Sequence, residues 1–342
     1  MLKTALIGLG RIGMAYHLPE ILKHPEYRLA AVADVDPSRL EEASALSGAR
    51  GYVDYREMLR KEELDLVVIA SPTLFHKEQA VAAMAAGCGV ILDKPMAADL
   101  SSAREIAAAA ETCGRRITVY QPHRFFALST VVRRVLDSGV LGEVFQMRRC
   151  ASNYVRRSDW QALKKYGGGM LNNFGSHYID QLLYFSGETV KKVFCRLQCV
   201  ATLGDAEDVV RIVMETEKGA VLDVDINQAA AIYPEPLLIH GKYGAARLEK
   251  DSEGKEVLHV RWYDPRELPS AQLLDSLTGP DRRLPQETFP WKEEFHPILP
   301  EDEADYYALC ARYFTGVGPA PVPLEETIRV MELISACREA AD

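Results

Sequence analysis

An apolar run from Leu2 to Ile7 meets Gly8-Leu9-Gly10-Arg11-Ile12-Gly13. A helix-forming stretch continues to about Lys23, and a second apolar run, Leu29 to Ala33, stops at Asp34. No other feature of the chain limits its fold so strongly. A GxGxxG triplet alone is weak evidence, because glycines fall at this spacing by chance. Here a strand precedes it, a helix follows it, and an acid lies about 20 residues further on. Gly8 allows the tight turn, Gly10 lets a pyrophosphate approach the backbone, and Gly13 lets helix and strand pack closely. The helix start, with Arg11 and Ile12, offers unpaired N–H groups and a positive dipole end to phosphates. Asp34 suits a ribose 2′-OH and repels a 2′-phosphate, which favours NAD over NADP. Arg39, a nearby cation, keeps NADP open as a second choice.

The pattern then repeats as in a doubly wound parallel sheet. Leu64 to Ala70 is continuously apolar, as a strand buried on both faces should be. Ser71-Pro72-Thr73 breaks it, and a helix of small residues spans His76 to Ala86. Gly87-Cys88-Gly89 ends that helix, Val90 to Leu92 is the next strand, and Asp93-Lys94-Pro95 follows at once. A helix over Ser101 to Cys113 and a strand over Ile117 to Tyr120 complete the unit. Ligands of open α/β sheets bind beyond the carboxyl ends of the strands. Gly8, Asp34, Ser71, Asp93 and Tyr120 all fall at such ends, so Ser71, His76, Asp93 and Lys94 join the candidate cofactor contacts. Lys94 sits at the rim between an acid and a proline that restricts its backbone. The plainer alternative is a turn ion pair, Asp93 with Lys94.

A chain of 342 residues suggests two domains, divided here as 1–122 and 123–342. A formal net charge of -9 argues against nucleic acid, which needs a basic face. The pairs Arg133-Arg134, Arg148-Arg149 and Arg156-Arg157 are short and lie near acids. The seven cysteines include no CxxC pair and no Cys/His set with zinc spacing. No metal is therefore expected, and the scattered thiols suit a reducing compartment. The first segment lacks a signal-peptide pattern, and no run approaches the ~20 apolar residues of a membrane span. A cytoplasmic protein without membrane contact is the expectation.

The second part begins with a helix from Arg124 to about Leu136. Strands are expected over Val144–Asn153, Val190–Thr202, Val209–Glu215, Val221–Ala229 and Leu237–Ile239. Asp223, Asp225 and Asn227 alternate with Leu222, Val224 and Ile226, which gives one buried and one polar face. Strands in sequence without intervening helices point to an antiparallel sheet. Asp264 to Pro300 carries seven prolines yet also Phe289, Trp291 and Phe295, so an ordered irregular arm is expected. Ala304–Phe314 and Leu324–Ala340 read as closing helices.

One stretch stands out in this part: Tyr166-Gly-Gly-Gly-Met-Leu-Asn-Asn-Phe-Gly-Ser-His-Tyr-Ile-Asp180. On a helix, Asn173, His177 and Asp180 share a face, and the three glycines leave room beside its start. Before it lie Tyr154, Arg156, Arg157, Asp159 and Trp160, a loop suited to a polyhydroxylated ligand through stacking on Trp160 and hydrogen bonds from arginine. An interface loop between subunits is the competing reading.

Three segments, Ala5–Gly13, Ala70–His76 and Leu92–Pro95, closely resemble the Gfo/Idh/MocA oxidoreductase family, with Asp93 where that family usually has glutamate. Gln121–Phe125, Leu141–Val144 and Gly167–His177 resemble later motifs of the same family. The resemblance implies an N-terminal Rossmann domain and a C-terminal α/β domain with a largely antiparallel open sheet, whose outer face often forms oligomer contacts. A homodimer or homotetramer follows from that. It also implies hydride transfer between NAD(P) and a sugar, sugar derivative or cyclitol carbon, with Lys94 and His177 handling the substrate hydroxyl. Histidine titrates near neutrality and can take and return a proton, while Lys94 can hold the developing negative oxygen. A lysine near a cationic nicotinamide should also have a lowered pKa, which would let it act as a base.

The family usually has aspartate four residues before that histidine, and this chain has Asn173. Asparagine can orient the His177 ring without charge; alternatively Lys94 carries more of the proton transfer, or Asp180 orients the ring from the other side. Two further functions compete with a dehydrogenase: a redox-neutral glycoside-cleaving enzyme with tightly held NAD, and a non-catalytic NAD-binding sensor.

Overall fold

The computed structural model describes residues 1–268, 270 and 288–341. Strands β1 (Leu2–Ile7), β2 (Tyr27–Ala33), β3 (Arg50–Tyr52), β4 (Leu66–Ile69), β5 (Gly89–Asp93) and β6 (Ile117–Tyr120) form one parallel sheet. Its order is β3-β2-β1-β4-β5-β6, so the direction of winding reverses between β1 and β4. All of β4 is buried, which explains its unbroken apolar sequence.

Helices α1 (Leu18–Lys23), α2 (Pro37–Ser47), α3 (Tyr55–Lys61), α4 (His76–Ala85) and α5 (Leu100–Cys113) cover the sheet. A π-helical turn, Gly13–His17, leads into α1. The hydrophobic pattern does not mark α2, β3 and α3; the two helices are marked by their caps, the Asp36 and Asp54 side chains accepting from the N–H groups of Ser38 and Arg56.

After α6 (Ala127–Ser138), β7 (Val144–Ser152) opens a second sheet. A helix, α7 (Ser176–Ser186), separates it from β8 (Val190–Gln198), β9 (Val209–Thr216), β10 (Val221–Asn227), β11 (Leu237–Gly241), β12 (Gly244–Lys250), β13 (Glu256–Trp262) and β14 (Lys292–Pro297). The order is β14-β13-β12-β11-β7-β10-β9-β8. Every neighbouring pair is antiparallel except β7 with β10. The fold class is thus the expected one, with β12, β13 and β14 extending the sheet. Their alternation of apolar and charged residues carries a period of two only weakly.

The strand expected to run to Thr202 stops at Gln198. The Asp208 carboxylate takes the N–H groups of Val200, Ala201 and Thr202, each at 2.7 Å, and curls the chain away from the ladder. The segment expected as an irregular arm holds an edge strand, β14, and packs its Phe289 and Trp291 on Tyr263 just before it. Pro269 and residues 271–287 of that segment lie outside the described residues.

Helix α7 packs on β7 and β10, and α9 (Leu324–Ala341) lies on β8 and also on α5. Helix α8 (Tyr306–Phe314) returns to the first sheet. Tyr307 is fully buried there with Leu6, Leu18 and Ile21. Its hydroxyl meets His17 Nδ1 at 2.7 Å, and its carbonyl accepts from the Tyr27 hydroxyl at 2.6 Å. The unit expected over 123–342 therefore places its last segments against the first sheet. A seam also forms where the loops after β5 and β6 meet the start of α7: Lys94 bonds Asn173, and the Pro122–Arg124 turn packs on α7.

Candidate active site

The three motif glycines occupy three different environments. Gly8 has φ +90°, and a Cβ on it would lie 2.5 Å from the Ser71 backbone nitrogen. A Cβ on Gly13 would lie 2.0 Å from the Gly8 carbonyl oxygen. Both positions therefore exclude any side chain. A Cβ on Gly10 meets nothing within 4 Å, so the turn opens onto free space at the switch point. The helix that follows has no side-chain cap.

The Asp34 carboxylate is fixed beside this turn. Its Oδ2 accepts from the Leu9 N–H at 2.7 Å and its Oδ1 from the Asp36 N–H at 3.0 Å. Arg39 pairs with Asp36, Nε to Oδ2 at 3.5 Å. An open backbone face, an uncapped helix start and a fixed carboxylate suit a dinucleotide.

Ser71 Oγ donates to Gln79 Oε1 at 2.6 Å. His76 does not reach outward as a cofactor contact would. Its Nδ1 is 3.0 Å from the Pro95 carbonyl and its Nε2 2.9 Å from the Ser71 carbonyl. Burial lowers its pKa, and a neutral ring can donate to only one of them. The side chain is consumed in tying the Ser71 loop to the Pro95 loop.

Asp93 Oδ1 accepts the Lys94 backbone N–H at 2.7 Å, and burial pushes its carboxyl up to about 6. The Lys94–Pro95 bond is cis. Lys94 reaches across the seam: its Nζ donates to the Asn173 carbonyl at 3.0 Å and to Asn173 Oδ1 at 3.2 Å. Removal from water lowers the Lys94 pKa from 10.5 to about 8, Asp93 opposing and Arg11 assisting the shift. The lysine is thus engaged by α7's leading turn rather than by a turn ion pair.

Asn173 lies in a π-helical turn, Leu171–Gly175, and α7 proper starts at Ser176. The wider turn breaks the one-face alignment expected of Asn173, His177 and Asp180. Asn173 bonds to Lys94 and, through Nδ2, to Gln161 Oε1 at 3.2 Å. It does not orient His177, whose Nδ1 is buried without a partner among the described residues. Nor does Asp180, whose oxygens accept from Arg124 Nε and Nη2 at 2.8 and 2.6 Å. Arg124 also bonds the partly exposed Glu326, so it clamps the turn that follows β6 to α7 and α9.

His177 is held instead by stacking on His123, with centroids 4.3 Å apart and planes 11° apart. His123 Nδ1 is also buried without a partner among the described residues. Burial drives the His177 pKa well below 6.5, with Lys94 and His123 adding to the effect. His123 is lowered to about 3, mainly by burial and then by the Arg149 charge. Both rings are neutral at pH 7, contrary to a histidine titrating near neutrality. A neutral ring carries one N–H and one bare nitrogen, and the tautomer with the enclosed Nδ1 bare leaves the N–H at Nε2 free to donate.

Tyr154, Arg156 and Trp160 remain exposed on the loop before the glycines. None of them hydrogen-bonds Lys94, Asn173 or His177 among the described residues. The loop reaches the site through Gln161, which accepts from both Arg157 and Asn173. The glycines permit this approach: a Cβ on Gly168 would lie 2.4 Å from the Gln161 carbonyl, which accepts from the Gly169 N–H at 2.8 Å. Gln161 and His123 carry no sequence mark of their role, since nothing local ties them to Asn173 or His177.

Residues 2–121 match the oxidoreductase family with an NAD-binding Rossmann fold, and residues 130–247 match the Gfo/Idh/MocA C-terminal domain. The chain belongs to the Gfo/Idh/MocA oxidoreductase family. It is 26% identical to the uncharacterized oxidoreductase YdgJ of Escherichia coli K12, over 99% of this chain and 96% of that one. It is 33% identical to the D-glucoside 3-dehydrogenase of the same organism, over 54% of each chain. The crystal structure of an NAD-binding protein from Listeria innocua superposes with a TM-score of 0.83 at 23% identity, covering 99% of this chain and 94% of that one. This Gfo/Idh/MocA protein is thus an NAD-binding oxidoreductase by family. Among the described residues no helix is long and apolar enough to cross a membrane.

Proposed function

We propose that this protein is an NAD-dependent dehydrogenase that oxidises a CH–OH group of a sugar, sugar derivative or cyclitol. The observation that carries the reading is Lys94, whose amine is lowered to about pH 8 and held at two Asn173 oxygens. A neutral amine has two N–H bonds and one lone pair. With both N–H groups given to Asn173, the lone pair points away from Asn173 and can take the substrate hydroxyl proton. His177, neutral with its proton on Nε2, donates a hydrogen bond that steadies negative charge growing on the substrate oxygen.

Gly8, Gly10, Gly13 and the helix start would hold the dinucleotide, with Ser71 and Asp93 at the same rim. Bound there, NAD supplies the hydride acceptor. Asp34 favours NAD, because a 2′-phosphate would meet its charge. The carbohydrate class rests on the family and on the glucoside dehydrogenase relative. Tyr154, Arg156 and Trp160 flank the cleft as the outer substrate contacts in this reading.

The test is NADH absorbance with purified protein, excess NAD and a panel of sugars, cyclitols and glycosides. NADH is expected with one substrate class and is lost in Lys94→Ala while NAD binding persists. Normal turnover in Lys94→Ala would remove Lys94 from the chemistry. Cleaved glycoside without NADH would replace the reading with redox-neutral cleavage. No product at all across the panel would favour a binding protein.

A further inference from the structure

Resting on the proposed role of Lys94, we infer that Arg157 and Gln161 are positioning residues that lock the Asn173 amide with its oxygen towards the Lys94 amine. Four side chains form one line: Arg157, Gln161, Asn173 and Lys94. Only the first needs to be known for the others to follow. A guanidinium carries donors and no acceptor. Whatever Gln161 turns towards Arg157 must therefore be its oxygen, Oε1. The same oxygen meets Asn173, so Asn173 must present its NH₂ there, at 3.2 Å. Its own oxygen then faces the other way, 3.2 Å from Lys94 Nζ.

The direction of this chain matters for the neutral amine, which can accept as well as donate and so leaves either sense open to the Asn173 amide. Reversed, it would set an NH₂ against the lysine amine. Lys94 would keep the Asn173 carbonyl and lose Oδ1, leaving one of its N–H groups without an acceptor. The lone pair of the neutral amine would no longer be confined to the substrate side. An aspartate at 173 would need no such device, since its two oxygens are equivalent. Asparagine does need it, and the loop supplies it at a distance. Asp159 holds that loop in place, accepting the Gln161 N–H at 3.1 Å and pairing with Arg157 Nε at 3.6 Å.

The experiment titrates Lys94 directly in the full chain, by the pH dependence of acylation of its amine with acetic anhydride, read by mass spectrometry. Gln161 lies on a half-buried turn, and Gln161→Met removes the oxygen while keeping an unbranched side chain. The expected result is a downward move of the Lys94 midpoint by about one pH unit, the weight of one hydrogen bond to a charged group. Gln161→Glu keeps an acceptor for both neighbours and is expected to show no downward move. An unmoved midpoint in Gln161→Met, or the same downward move in both variants, overturns the inference. The titration needs no substrate. A shifted midpoint without NADH from any substrate leaves the relay standing and removes the dehydrogenase reading. NADH formation with an unmoved midpoint does the reverse.

Discussion

Asn173→Asp is the most informative single change, because it restores a charge where this chain has only a dipole. The new carboxylate would sit where Oδ1 now lies, 3.2 Å from Lys94 Nζ. At an effective dielectric of 20, two unit charges at that separation attract by about 5 kcal/mol. Burying the carboxylate cancels much of this, and neighbouring charges in proteins move a pKa by about 1–3 pH units. Lys94 would then titrate well above its present value of about 8. The proposed alcohol oxidation uses the neutral amine, so the acid limb of the kcat/KM profile should move to higher pH by the same amount. At pH 7 the rate should fall about 10- to 1,000-fold, and at pH 10 most of the loss should be recovered. The assay is NADH formation from pH 6 to pH 10.5 with the substrate found in the panel. A loss of equal size at every pH, or no loss, would refute the lone-pair account of Lys94.

Lys94→Met should stabilise the fold at pH 7 by up to about 3 kcal/mol, because the enclosed ammonium is disfavoured relative to the unfolded chain. The folded pKa is lowered from 10.5 to about 8, so the gain is full below pH 8 and fades as pH rises towards 10.5; thermal melts at pH 7 and pH 10.5 check this. Asp34→Ser should raise the kcat/KM ratio of NADP to NAD, measured side by side, and an unchanged ratio would take Asp34 away from the ribose. Asp180→Ala should cost about 3–5 kcal/mol in urea unfolding, since it strips the bidentate partner from buried Arg124 and leaves only the partly exposed Glu326.

What the sequence shows and hides follows the range of the interaction. Five strands of the first sheet were legible because glycines, continuous apolar strands and the helices between them are local patterns; β3, three residues with only one buried, was not. Asp34, Lys94 and the glycines sit at strand ends for the same local reason. The pairing of Lys94 with Asn173 spans 79 positions, and no local pattern reports it. The helical spacing of Asn173, His177 and Asp180 misled, because a π-turn and the pull of Arg124 override a simple wheel. His123 looks like any loop histidine until the fold stacks it on His177. Gln161 is an ordinary polar residue until Arg157 fixes which of its atoms is which.

The return of α8 to the first sheet bears on how the molecule comes apart. Tyr306, Tyr307, Cys310 and Val322 complete the apolar cluster beneath β1 and β2, so a fragment ending at residue 122 would leave that cluster open to water. The nucleotide-binding third is therefore finished only when α8 and Val322 have been made. Denaturant should melt both sheets in one cooperative step, and a ribosome-bound N-terminal half should stay aggregation-prone until α8 emerges.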